Sequence, residues 1–428
     1  MTARSSTLSR RVAAGALALI SLVLAACGST PEPAASSTRP RPTTTPTVAS
    51  LSTQQALMNA RAEGIRTHDL ALFLRGDDPT QREFIARDRQ YFEAVSAVPW
   101  QVFSYRVTST PWPQQLIDHR WGASPQLPQV EVTTQIAGFD TNPVTRTTGF
   151  AFVTRAGHTY IASDRTIHDH LFPGFRPDPW DVEPVTVDRT PNAIGVFDQG
   201  AVAEESVVTT QLTKAVAGVA KDLPYAWTKN VVLYAVTGDG FPTALAALGG
   251  GDLAHLGALT YPLDPSAPGA DNRVLLLDDA LTAGPIALAR AIRHEVTHVA
   301  LGDEATGVPL WLIEGIAEYE GAKAVPVSQR RITATAPQRA KQRITGLPPT
   351  ATFHDDDQDW HYAVSWMACQ YIVQTGGEPL LWALLDAMNN GGLGTTDAHQ
   401  DLVLSQVLGM NGAQLAVHAV GLIRSTYG

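Results

Sequence analysis

The chain has 428 residues and a formal net charge of −10, with 44% hydrophobic and 17% charged residues. This length exceeds what one ordinary hydrophobic core accommodates, so the sequence predicts two folded domains with additional segments. The acidic balance argues against binding of nucleic acid or anionic lipid through bulk charge.

The N-terminus has the pattern of a secretory leader over residues 1–26. Its basic start ends at Arg11, an apolar run spans Val12–Ala26, and Cys27 follows. Removing this leader, with its three arginines and no acid, changes the net charge from −10 to −13. Residues 24–27, Leu-Ala-Ala-Cys, resemble a bacterial lipobox, which implies that Cys27 is lipidated and anchors the protein outside the cytoplasmic membrane. An ordinary signal peptide is the alternative, and the export route, general secretory or twin-arginine, stays open.

Residues 27–50 are rich in proline, threonine and serine and contain almost no large apolar residue. Such a segment cannot bury enough surface to fold. It therefore predicts a semi-extended tether between the anchor and the folded part. Beyond the leader, no stretch is apolar over the roughly 20 residues that a membrane helix needs.

The segment 51–180 is predicted to be an α+β domain in which helices come first and strands follow. The helices are expected at Leu51–Ile65, Leu70–Leu74 and Gln81–Val95, and the strands at Gln101–Val107, Val130–Ile136, Thr145–Thr154 and His158–Ala162. Helices followed by a curved antiparallel sheet resemble the nuclear-transport-factor-like cone fold. We identify no catalytic pattern here, and His168-Asp169-His170 is interpreted as a polar loop because no third metal ligand is evident.

From residue 181 to residue 428 the pattern predicts a second α+β domain. Strands are expected at Thr190–Phe197, Asn230–Val236, Leu256–Tyr261 and Arg273–Leu277, and helices at Val202–Asp222 and Pro285–Leu301. The last helix has proline at its first position and Gly302 just past its end, which is typical of helix termini.

This helix carries the sequence His294-Glu295-Val-Thr-His298. Positions i and i+4 share one helical face, so the imidazoles of His294 and His298 can bind one metal ion. Glu295 lies at the adjacent position, from which its carboxylate can reach a water on that ion. The pattern therefore indicates two metal ligands and a catalytic base.

Zinc in a catalytic site takes three protein ligands and leaves one position for water. A second helical segment, residues 311–319 (WLIEGIAEY), follows Pro309 and supplies Glu314 as the candidate third ligand. Glu318, one turn later, can accept a hydrogen bond from a ligating imidazole. The competing ligand is Glu304, but a metzincin-like pattern requires glycine three residues after the second histidine, where this chain has leucine.

Together, the 294–298 and 311–319 motifs resemble the gluzincins, the thermolysin-like and aminopeptidase-like zinc metallopeptidases, over about residues 190–428. The resemblance implies a zincin-like fold, a zinc cofactor and a peptide or protein substrate, with Tyr362, or alternatively His361, stabilising the oxyanion. It also implies that an edge strand near Gly257–Tyr261 pairs with an extended peptide. The chain departs from the family in its short His-to-Glu interval and in having no complete motif for the substrate amine.

A non-catalytic binding or assembly lipoprotein that retains the metallopeptidase fold is the alternative function. The intact Glu295 favours the enzyme, because a binding relic has no need of the base. Cys369 is predicted to be a small buried apolar residue, and Asp355-Asp356-Asp357 a solvated loop or helix cap.

Overall fold

The computed structural model describes residues 49–113, 121, 124–164, 177–246, 253, 256–264, 271–389 and 396–428. Within these ranges the chain is a mixed α/β protein with several sheets. None of its described helices is both long and apolar enough to cross a bilayer. The leader, Cys27, nearly all of the tether and His168-Asp169-His170 lie outside the described residues.

The first part of the chain consists of three helices followed by antiparallel strands. These elements are α1 (Leu51–Thr67), α2 (Leu70–Leu74), α3 (Arg82–Ser96), β1 (Trp100–Pro111), β2 (Pro128–Ile136), β3 (Val144–Gly149), β4 (Ala151–Arg155) and β5 (His158–Ser163). Strands β1, β2 and β3 form one antiparallel sheet, and β4 pairs with β5 in another. The order of helices and strands confirms the predicted pattern, whereas the likeness to a cone fold stays a prediction.

The single strand expected over Thr145–Thr154 is wrong, because the chain passes from one sheet to the other at Phe150. Residues 148–153 are all buried, so apolar contacts cover both sides of the chain here. Alternation in the sequence could not reveal this change of sheet, since strand-like residues continue through it.

The next part of the chain builds a five-stranded sheet. Its elements are α4 (Pro179–Val182), β6 (Val185–Arg189), β7 (Ala193–Asp198), α5 (Glu205–Asp222), β8 (Val231–Ala235), α6 (Gly240–Leu245), β9 (Ala258–Pro262), β10 (Asn272–Leu276) and α7 (Asp278–Thr282). The strand order is β6-β7-β8-β10-β9, with β7, β8 and β10 parallel and the two outer strands antiparallel to their neighbours. Strand β6 and helices α6 and α7 were not expected from the sequence.

Both faces of this sheet are buried, so β8 is apolar at every position. Leu233 and Ala235 pack into the core formed with the C-terminal helices. Val232 and Tyr234 point the other way, into a core shared with Phe73 and other residues of the first part of the chain. One apolar core thus extends across residue 180, and the division into two domains at that point stays a prediction.

The remainder of the described chain is helical. The helices are α8 (Pro285–Leu301), α9 (Leu310–Lys323), α10 (Ala336–Arg339), α11 (Gln358–Gly376), α12 (Glu378–Met388), α13 (Asp397–Leu408) and α14 (Gly412–Tyr427). Helix α8 has the predicted bounds and packs against α5, α9 and β9. Helix α9 in turn packs against α11.

Gly315 allows the close approach of α9 to α11. A Cβ at this position would lie 2.5 Å from the carbonyl oxygen of Ser365 and 2.7 Å from Sγ of Cys369. Cys369 is fully buried, as predicted, and burial raises the pKa of its thiol. A side chain at position 315 would therefore force α9, which carries Glu314, away from α11.

Candidate metal centre

Helix α8 holds His294 and Glu295 in the interior of the protein. It begins at Pro285 after Gly284, whose φ of +88° suits glycine, and Gly302 follows with a φ of +45°. Its buried side includes His294, Glu295 and Thr297, while His298 is partly exposed. The helix thus presents two imidazoles, one of them partly exposed.

Three donor atoms converge between α8 and α9. Nε2 of His294 lies 3.1 Å from Nε2 of His298. Oε2 of Glu314 lies 3.3 Å from each of these nitrogens. In the described part of the chain these three residues form the one cluster of histidine, cysteine and acidic side chains with the spacing of a metal site.

Glu318 sets the tautomer of His294. Its Oε1 lies 3.2 Å from Nδ1 of His294, on the side of the ring that faces away from the cluster. In a neutral imidazole, one nitrogen donates and the other accepts. When Nδ1 of a neutral His294 donates to Glu318, Nε2 carries the lone pair that can bind a metal ion.

The carboxylates beside His294 favour positive charge at the cluster. Burial alone would lower the pKa of His294, but its contacts with Glu314 and Glu318 outweigh burial and raise the pKa well above its usual range. Burial would raise the pKa of Glu314, yet the positive charge of His298 and the contact with His294 hold it well below its usual range. Oε2 of Glu314 is buried and makes no hydrogen bond of good geometry within the described residues. The carboxylates of Glu314 and Glu318 therefore favour a positive charge at His294, which a bound cation would also supply.

The separations between these atoms fit one tetrahedral ion. Donor atoms at about 2.0–2.1 Å from such an ion are about 3.3–3.4 Å from one another. The observed 3.1 to 3.3 Å agrees with this spacing. Two imidazoles and one carboxylate suit zinc and also other first-row metals, so the donor set alone does not identify the ion.

Arg290 supports Glu318 from the opposite side. Its guanidinium forms an ion pair with Oε2 of Glu318 and donates from Nη1 to the carbonyl oxygen of Arg331 at 2.7 Å. It also lies 4.3 Å above the ring of Trp366. Burial would raise the pKa of Glu318, but His294 and Arg290 lower it to about 2, so this carboxylate is ionised.

Glu295 is held by a hydroxyl on strand β9. Oγ1 of Thr260 is 2.7 Å from Oε2 of Glu295 and 3.1 Å from its backbone carbonyl oxygen. Because β9 is the outer strand of the five-stranded sheet, this contact connects the edge of the sheet to the candidate base. The hydrogen bond from Thr260 involves only one of the two carboxylate oxygens, Oε2.

Tyr362 lies beside the cluster on the first turns of α11. The centroid of its ring is 6.3 Å from that of His294 and 5.2 Å from that of Phe353. Burial, followed by the negative charge of carboxylates among which Glu314 contributes most, raises the pKa of Tyr362 well above its usual range. The phenol therefore stays protonated and can donate a hydrogen bond.

His361, the alternative to Tyr362, faces elsewhere. Its Nδ1 is 2.8 Å from the carbonyl oxygen of Phe353, and its ring packs on the ring of that residue. The neighbouring acids also behave as loop and cap residues. Oδ1 of Asp355 accepts from the backbone N–H of Asp357 at 2.8 Å, and Asp357 forms an ion pair with Arg339.

Glu304, the competing ligand, lies outside the cluster. It belongs to a short 3-10 turn, and its Oε2 accepts a hydrogen bond from Nδ2 of Asn389 at 3.1 Å. The geometry therefore favours Glu314 over Glu304 as the partner of the two histidines.

Two residues of the site were not predicted from the sequence. Arg290 precedes His294 by four positions, so helical spacing could have placed it on the same face. Thr260 reaches Glu295 through a contact between residues 35 positions apart, for which no local pattern exists. A scan of protein-family models finds no match to this chain, and a search of curated proteins finds no significant match.

Proposed function

We propose that this protein is a zinc-dependent peptidase of the gluzincin type, anchored through Cys27 outside the cytoplasmic membrane. The observation that carries the proposal is the convergence of two imidazole nitrogens and one carboxylate oxygen within 3.1 to 3.3 Å, with Glu295 adjacent. A metal centre that served only structure would have no need of a carboxylate base next to its ligands.

His294, His298 and Glu314 would hold the zinc ion. When bound, zinc supplies a Lewis acid that polarises a carbonyl group and lowers the pKa of a coordinated water. Glu318 would accept a hydrogen bond from Nδ1 of His294, which leaves Nε2 to bind the ion. Glu314 contributes the negative charge that offsets part of the charge of the cation.

Glu295 would act as general base and then as general acid. Its Oε1 accepts the proton of the attacking water and later delivers it to the nitrogen of the leaving amine. The hydroxyl of Thr260 donates to Oε2 throughout, which fixes the orientation of the carboxylate. This hydrogen bond would hold the Glu295 carboxylate in one rotamer, within reach of the attacking water.

Tyr362 would stabilise the charge that develops on the carbonyl oxygen. Its protonated phenol is next to His294, and a hydrogen bond aimed at a developing oxyanion is among the strongest contributions to catalysis. Strand β9 would align an extended peptide by adding a strand to the sheet. Its outer position and the contact of Thr260 with Glu295 support this role.

Glu295→Gln separates metal binding from catalysis. Because Glu295 is not a ligand, the variant should keep about one zinc per chain and the wild-type melting temperature. Its hydrolysis of a peptide library should fall by about 10²–10⁴-fold, since an amide does not accept the proton of the water. Metal content by mass spectrometry, thermal melting and fluorogenic peptide cleavage measure these three properties.

Alanine variants of the ligands give the complementary result. Glu314→Ala should lose zinc and activity, whereas the matched variant Glu304→Ala should keep both. Loss of zinc from Glu295→Gln, or retention of zinc by Glu314→Ala, would show that the ligand assignment is wrong. A wild-type protein that binds zinc but cleaves no member of the library would instead support the non-catalytic lipoprotein.

A further inference from the structure

A continuous basic segment follows helix α9. Residues 321–354 contain six lysines and arginines and no aspartate or glutamate, although the whole chain carries a net charge of −10. Within this segment Lys323 pairs with Glu320, and Arg339 with Asp357. The remaining four cations lie in a stretch with no acid of its own.

Backbone and amide oxygens, rather than carboxylates, contact these cations. Arg330 and Arg331 donate to nearby backbone carbonyl oxygens, and Lys341 donates to the side chain of Gln338 at 3.0 Å. Arg424, from α14, donates to the carbonyl oxygens of Ala340 and Gln342. No described carboxylate forms an ion pair with Arg330, Arg331, Lys341, Arg343 or Arg424. The positive charge of these side chains is therefore not neutralised.

An open groove of about 580 Å³ lies between α14 and the stretch 343–345. Its lining includes Arg343, Arg424 and His418 and contains no carboxylate. Ile344 and Val417 supply apolar surface, and Val417 is 57% exposed. The groove thus combines two guanidinium groups that form no ion pair with a described carboxylate and two apolar side chains.

We propose that this groove binds an acidic peptide segment of a protein partner, in which carboxylate side chains alternate with apolar ones. The guanidinium groups would pair with the carboxylates, and Val417 would contact the apolar side chains. A concave groove fits an extended peptide, and the net charge of −10 disfavours an anionic bilayer as the occupant. The proposal is independent of the metal centre and of the proposed peptidase activity.

Fluorescence anisotropy with a labelled peptide of alternating glutamate and valine tests the proposal. The intact protein carrying Glu295→Gln is used, so that the probe is not cleaved. We expect saturable binding that weakens as salt is raised, because the contacts are between exposed charges. A matched peptide with glutamine in place of glutamate should not bind.

Charge reversal locates the binding surface. Arg343→Glu should weaken binding of the acidic peptide about tenfold, because it puts like charge against the ligand. Arg189→Glu reverses another exposed arginine, on strand β6 outside the groove, and should leave the affinity within about twofold. Equal affinities of the two variants, or equal binding of the two peptides, overturn the proposal.

A vesicle experiment distinguishes a protein partner from a lipid surface. Co-sedimentation with phosphatidylglycerol vesicles should be the same for the parent protein and for Arg343→Glu. If Arg343→Glu reduced vesicle binding while the acidic peptide did not bind, the surface would contact lipid and the peptide proposal would be wrong.

Discussion

Replacing Arg290 by methionine should weaken zinc binding, although Arg290 does not belong to the donor cluster. Its guanidinium pairs with Glu318, and Glu318 contacts Nδ1 of His294. Methionine retains much of the packing against Trp366 but removes the donors. Glu318 then loses the guanidinium group that fixes its position, and His294 is held less firmly in the ligating orientation.

The size of the effect follows from the order of these contacts. Loss of the carboxylate that supports a ligating histidine usually costs 10- to 100-fold in metal affinity, and we expect this loss for Glu318→Ala. Arg290 acts one contact further out, so Arg290→Met should cost about tenfold, which corresponds to about 1.4 kcal/mol. The double variant should bind zinc as Glu318→Ala does, because Arg290 acts through Glu318.

Competition with a chromophoric chelator at fixed pH measures the zinc Kd of each variant. Arg293→Met is the control, because Arg293 lies on the same helix but pairs with Asp222 and Glu320 instead. It should lower the melting temperature and leave the zinc Kd within about twofold. An unchanged zinc Kd in Arg290→Met, or additive losses in the double variant, would refute this chain of contacts.

Three further predictions concern the base, the helix packing and the anchor. Thr260→Val should lower kcat/KM by about 10- to 100-fold, because Glu295 loses a hydrogen bond to a charged group, while an altered zinc Kd would contradict a role confined to the base. Gly315→Ala should lower the free energy of unfolding in denaturant by about 1–3 kcal/mol, because the added Cβ has no room. The control Gly421→Ala, on an open helix face, should leave this free energy unchanged. Similar unfolding of the two variants would contradict the packing argument. Cys27→Ala should release the protein from the membrane fraction, and unchanged fractionation and mass would exclude lipidation.

The sequence was informative where function depends on local spacing. The bounds of α8 and the shared face of His294 and His298 follow from helical periodicity, and so does the position of Glu318 one turn after Glu314. These four residues lie on two helices that are adjacent in the chain. Their arrangement was therefore predictable before any long-range contact was known.

The sequence did not predict the features that depend on contacts between residues far apart in the chain. The transfer of the chain between sheets at Phe150 depends on burial by distant residues, while strand-like residues continue through it. Glu295 accepts a hydrogen bond from Thr260 on β9, and Arg290 donates to the carbonyl oxygen of Arg331, which follows α9. Side-chain orientation also favours Tyr362 over His361, whose ring nitrogen contacts a backbone carbonyl instead.

The short interval from His294 to Glu314 has a consequence for the order of folding. All three candidate ligands fall within residues 294–314, on two helices that pack directly on each other. Closing a loop of this length costs little chain entropy compared with assembling a sheet from distant strands. A helical hairpin of α8 and α9 could thus capture a metal before β7, β8 and β10 have paired. We therefore expect a metal ion present during refolding to accelerate an early step, and not only to stabilise the final state.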